Sequence, residues 1–304
     1  MKKITYLLLI ILSLSLIGLG LYLEFNKKEE KEEPKEFSYM PLLYKICDDD
    51  SCVYALGSIH LGDSRITKLD KKVLDVYNST DYLVVEVDIK NNSLDLENYM
   101  LEDEKTIEDF IDEDFKTKLI DFSSKHPLFN YEVYKKFKLG YISTVITSLI
   151  YLENGYLNPG VDDYFLTLAH ESNKNIIELE SIDLQSDILF NNSNEFYINQ
   201  INTIIDNYEL TKMYAKNLYD AYLSANSELL KLYLDIDTET STEEEQQFTE
   251  SLYTDRNISM TDEVKKLLEE NKNAFIVVGA AHVIGKDGIV NNLKDDYKIE
   301  LIKN

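Results

Sequence analysis

Short apolar runs alternate along this chain with longer stretches in which apolar residues recur every three to four positions. Runs at 42–46, 53–56, 81–88, 175–180, 274–278 and 298–302 have strand length and are rich in Val, Ile and Leu. Helical spacing appears between them. Ile66, Leu69, Val73, Leu74 and Tyr77 mark a helix across 61–77, and a charge-rich helical region follows at 94–138, with a helix start at Thr106 and Asp109 and a break at Pro127. Residues 139–152 read as a buried helix, too short to cross a membrane unaided. Further helices are predicted at 164–172, over 196–236 as one long or two shorter pieces, at 260–270 and at 288–293. Asp162 or Asp163 is placed to cap the helix at 164–172. Residues 237–245 read as an acidic loop, His126 as a surface or loop position and His170 as a surface position.

The 81–88 strand carries one anomaly. Glu86 interrupts a run of paired valines, and a carboxylate buried there must be paired, protonated or bound to a metal. A two-residue period puts Glu86 and Asp88 on one face. Glu180 closes the 175–180 strand in the same way.

Two segments lie outside the folded pattern. Residues 4–23 carry no charge and follow Lys2 and Lys3, which is enough apolar length for a transmembrane helix. The run ends without small residues of a signal-cleavage type, so 1–23 reads as an uncleaved anchor, with a cleaved signal peptide as the other reading. Residues 24–37 alternate Lys and Glu around Pro34 and read as a linker, leaving 38–304 as the domain. Lysines flank both ends of the span, so charge alone leaves its orientation open. Cys47 and Cys52 are the only cysteines. They sit at the mouth of a predicted hairpin, where a disulfide would imply an oxidising exterior and a domain facing outside the cytoplasm. Free thiols, or a weak metal pair, are the other readings.

Composition narrows the function. With 56 acidic against 31 basic residues the formal charge is −25. That excludes nucleic acid as a natural partner and disfavours anionic lipid headgroups. The four histidines and ten glycines nevertheless produce two matched motifs, Gly57-Ser58-Ile59-His60 and Gly279-Ala280-Ala281-His282. Each follows a strand run and precedes another glycine, Gly62 or Gly285. Chance placement would give roughly 0.1 such Gly-x-x-His pairs in all. Glycine permits a sharp turn or close approach, and imidazole at a strand end binds metal or moves protons. His60, His282 and Glu86 make a three-ligand set with positions left for water and substrate. Glu180 or Asp162 is a candidate general base, and Arg256 a candidate holder of an oxyanion or substrate carboxylate.

Four stretches carry a resemblance to the TraB/GumN family, which includes the Tiki metalloproteases. They are 56–62 around His60, 84–87 around Glu86, 160–162 with 177–180, and Arg256-Asn257 with 278–282 and Gly285. The resemblance spans roughly residues 40 to 302. It implies an α/β fold, a central mixed β-sheet flanked by helices as in ChaN and the erythromycin esterases, with the site at strand ends. It implies that His60, Glu86 and His282 converge on a divalent metal, manganese or cobalt favoured and zinc possible. The implied activity is that of a membrane-anchored peptidase acting on peptides or protein N-termini outside the cytoplasm. A non-catalytic protein of the same fold that captures a peptide or haem is the alternative, since two histidines also suit haem.

Overall fold

The computed structural model describes residues 37–92, 95–102, 104–234 and 242–303. The expected anchor at 1–23 and all but the last residue of the expected linker fall outside these. Among the described residues no helix is long and apolar enough to cross a membrane.

The chain enters through a hairpin, β1 (Leu43–Cys47) and β2 (Cys52–Ser58). Asp48 closes it by accepting from the backbone N–H groups of Asp50 and Ser51, a side-chain turn of the Asx kind. The register sets Cys47 opposite Cys52, and a disulfide joins them. Next come β3 (Leu61–Gly62), α1 (Lys71–Asn78) and β4 (Tyr82–Val85). After two 3-10 turns the chain forms α2 (Glu113–Lys125), α3 (Tyr131–Tyr134) and α4 (Leu139–Glu153). Then follow β5 (Asn158–Pro159), α5 (Val161–Ser172) and β6 (Asn175–Glu178). A helical stretch comprises α6 (Ile182–Phe190), α7 (Asn194–Asp206), α8 (Tyr208–Leu223), α9 (Ser227–Leu234) and α10 (Glu243–Thr249). A π-helical turn, Glu250–Thr254, leads into α11 (Asp255–Glu269). The last unit is β7 (Ala274–Gly279), α12 (Ala280–Ile284), α13 (Ile289–Leu293) and β8 (Lys298–Leu301).

Six strands form one mixed sheet in the order β6-β4-β7-β2-β1-β8, and helices flank it. β6, β4, β7 and β2 are mutually parallel, while at one side β1 pairs antiparallel with β2 and β8 antiparallel with β1. All six residues of β7, with the sequence AFIVVG, are buried, as a central parallel strand covered on both faces requires. Helix α5 packs on β4 and β7, and α11 and α12 pack on β2. Helix α4 is buried at every position but its last, among α6, α7 and α8. It is apolar enough to be surrounded, and its Thr144, Thr147 and Ser148 hydroxyls donate to carbonyls one turn back.

Several elements differ from the expected ones. No helix runs across 61–77: Asp63 accepts from the Arg65 N–H and holds a turn, and α1 starts only at Lys71, capped by Asp70. The 81–88 strand stops at Val85. Glu86 and Asp88 therefore do not share a strand face; Glu86 meets Arg256, while Asp88 accepts from His170 at 2.9 Å. The 196–236 region forms three helices, broken at Asn207 and at 224–226. Residues 243–245 of the expected acidic loop open α10. His126 lies in the loop that ends α2, partly shielded from solvent. Its ring stacks on Phe122, and its Nδ1 lies 2.8 Å from Glu153.

Candidate functional site

The carboxyl ends of β6, β4, β7 and β2 lie side by side. Val85 pairs with Glu178 and with Val277, and Ser58 pairs with Gly279. This register brings four sequence-distant segments to one edge: 178–180, Glu86, Gly279 with α12, and Ser58 with His60. Ligand sites of open parallel sheets form at such edges.

Two glycines make the closeness possible. A Cβ on Gly57 would sit 3.0 Å from the Ala280 Cα, so the two Gly-x-x-His motifs touch directly. A Cβ on Gly160 would lie 1.9 Å from the Ile59 carbonyl oxygen and 2.6 Å from the His60 Cα. The start of α5 therefore presses onto the His60 backbone only because residue 160 has no side chain. Gly160 is the N-cap of α5 and makes no side-chain cap, so the capping role expected for Asp162 or Asp163 is not filled. Asp162 turns instead to His60, its Oδ2 lying 3.0 Å from Nδ1, at ion-pair distance but off the hydrogen-bond direction.

At the centre Arg256 is clamped between two carboxylates. Its Nη2 donates to Glu86 Oε2 at 2.6 Å and to Glu180 Oε2 at 2.7 Å. Nε donates to Glu180 Oε1 at 2.7 Å, and Nη1 to the Leu252 carbonyl at 3.2 Å. Glu86 Oε1 accepts from the Gly279 N–H at 2.7 Å. Gln185, on α6, donates its amide to both Glu86 and Glu180. Nothing in the sequence around Gln185 marks it as a site residue. On the far side of the site His282 Nδ1 contacts Asn257 Oδ1 at 2.6 Å. Asn257 can only accept through that oxygen, so Nδ1 carries the proton and Nε2 keeps its lone pair. His282 sits inside α12 and not at a bare strand end.

The charges interact. Burial pushes the Glu86 carboxyl up, but Arg256 and the two imidazoles hold it down at about 2. Burial and then Arg256 push His282 down to about 3, so its ring is neutral. Burial also opposes protonation of His60, yet Asp162 outweighs it and raises this imidazole above its ordinary value. Glu86, Glu180 and Asp162 against Arg256 leave excess negative charge in a buried place.

The structure thus gathers Glu86, Glu180 and Arg256 in one network, with His60–Asp162 and His282–Asn257 beside it. The donor chemistry suits a cation. Both His60 ring nitrogens, Asp162 Oδ1, Gln185 Oε1 and Ser58 Oγ are buried with no hydrogen-bond partner in the protein. Buried polar atoms of this kind call for an ordered water or a bound ion. Among the described residues no three His, Cys, Asp or Glu side chains are already drawn together as a cation-binding group. The profile of the TraB/PrgY/gumN family matches residues 42–301. No curated protein and no solved structure matches the chain significantly.

Proposed function

Because this chain belongs to the TraB/PrgY/gumN family, we propose that it is a metal-dependent hydrolase whose substrates are peptides. With that reading goes the ChaN- and erythromycin-esterase-like fold implied by resemblance. The observation that carries the reading is His60: a buried imidazole beside Asp162, without a hydrogen-bond partner on either nitrogen, at the edge that also holds Glu86 and His282.

His60, Glu86 and His282 would hold a divalent cation, manganese or cobalt before zinc. When bound, such an ion acidifies a water and polarises a scissile carbonyl. Asn257 fixes the tautomer of His282, the outer-shell role that orients a ligating imidazole. Asp162 steadies His60 from the opposite side. Arg256 holds both Glu86 and Glu180 in place and favours the ionised form of Glu86. Glu180 or Asp162 would take the proton from the attacking water, and Arg256 would face the negative charge that develops on substrate.

The domain is proposed to work outside the cytoplasm, held by the apolar segment 4–23, and the Cys47–Cys52 disulfide supports an oxidising compartment. Elemental analysis of purified protein, with manganese and cobalt titrations, tests the centre. His60→Ala and His282→Ala should each abolish uptake while the far-ultraviolet spectrum stays native. Full uptake by both variants removes the reading.

One observation favours a second reading, capture of a peptide or haem without chemistry: Arg256 already satisfies Glu86 and Glu180. Protein that takes up no metal but binds haem, with its visible absorption, would support it.

A further inference from the structure

A cavity of about 820 Å³ adjoins the site on the side of His282. Its walls come from α9, α10, the π-helical turn, α12 and α13. It reaches the site through Tyr253, Asn257 and Ala281. Asn257 holds His282, the Tyr253 ring lies 5.8 Å from the His282 ring, and Ala281 is its chain neighbour. The volume falls within the ~300–1,000 Å³ typical of ligand sites.

The wall is tied to the site mechanically as well. π-Helical turns are uncommon and cluster at functional positions. This one supplies Glu250, Tyr253 and Thr254 to the cavity, and the Leu252 carbonyl within it accepts from Arg256. The residues that clamp the carboxylates and His282, Arg256 and Asn257, follow it directly.

The lining indicates the occupant. Lys231, Lys286 and Lys294 are matched by Glu228, Glu250 and Asp287, so the cavity is electrically balanced in a chain of net charge −25. A balanced groove does not select a phosphate-rich or strongly charged ligand. Ile284 and Val290 give an apolar seat, and the Thr254 hydroxyl gives a partner for a backbone group. That mixture matches an extended, uncharged peptide with an apolar side chain.

We propose that this cavity binds the segment of a peptide substrate next to the reacting bond, with an apolar side chain against Ile284 and Val290. The proposal rests on the peptide-hydrolase reading above.

The test incubates the full-length, manganese-loaded protein with a random-sequence decapeptide mixture and reads products by mass spectrometry. Val290→Trp fills the cavity. Lys286→Trp crowds its rim from an exposed position and serves if the first variant does not fold. Wild type is expected to cut with an apolar residue at one fixed distance from the cleaved bond. Either folded variant should lose at least ten-fold in rate and lose that preference, with manganese uptake by calorimetry unchanged. Variants that cut the same peptides at the wild-type rate overturn the groove and leave the hydrolase reading standing. Wild type that takes up manganese yet cuts no peptide removes both.

Discussion

Arg256 decides how the buried charges of the site are reconciled. Glu86 and Glu180 face each other across its guanidinium, and all three side chains are nearly inaccessible to water. Arg256→Met leaves the two carboxylates buried without a counter-charge, and a loss of about 3–5 kcal/mol is expected in urea denaturation. The same clamp sets an acid dependence. Glu86 sits at about 2 in the fold against an ordinary 4.5. A depressed carboxyl contributes stability above its unfolded value and loses it as pH falls through the folded one. In metal-free protein the Glu86 contribution should therefore be complete above about pH 5 and fade towards pH 2, and Glu86→Gln should flatten that part of the acid-unfolding curve. Asn257 acts through His282. Asn257→Ala should weaken manganese binding about 10–100-fold by calorimetry, with the fold unchanged by circular dichroism.

Among the elements, the start of α5 is the one most constrained by its neighbours. Gly160→Ala forces a methyl group into the Ile59 carbonyl. The backbone there is ordinary in φ, so the penalty is overpacking alone, about 3 kcal/mol; chemical denaturation checks it, and unchanged stability would mean that α5 can move away from His60. This contact shows where sequence reasoning succeeds and where it stops. β2, β4 and β7 were legible because central parallel strands need unbroken apolar runs, and α4 because its first fourteen positions carry no charge. Glu86 was legible as an anomaly within such a run. Asp162 was misread as a cap because its partner is 102 positions earlier in the chain and only the Gly160 contact brings the two together. Gln185 was missed because a glutamine on a helix carries no local mark of bridging two carboxylates from other elements. The helix expected at 61–77 failed because Asp63 and Asp70 offer backbone N–H groups nearer partners than a helix does.

At the scale of the whole molecule the dominant quantity is a net charge of −25. Self-repulsion of that size opposes the compact state, and salt screens it. Raising NaCl from about 10 mM to about 0.3 M cuts the Debye length from ~30 Å to below 8 Å. Scanning calorimetry should show Tm rising with salt, by ~2–4 °C for each kcal/mol of repulsion relieved; a falling Tm would place the balance in surface ion pairs. Sheet order has a further consequence, for timing. β7 lies between β4 and β2, yet it is formed from residues 274–279, after four of the six sheet strands have left the ribosome. Until it inserts, the β1–β2 hairpin and the β4–β6 pair have nothing between them, and His60 and Glu86 belong to separate fragments. In a nascent chain the two fragments are therefore joined only when residues 274–279 emerge, with nearly the whole chain already made.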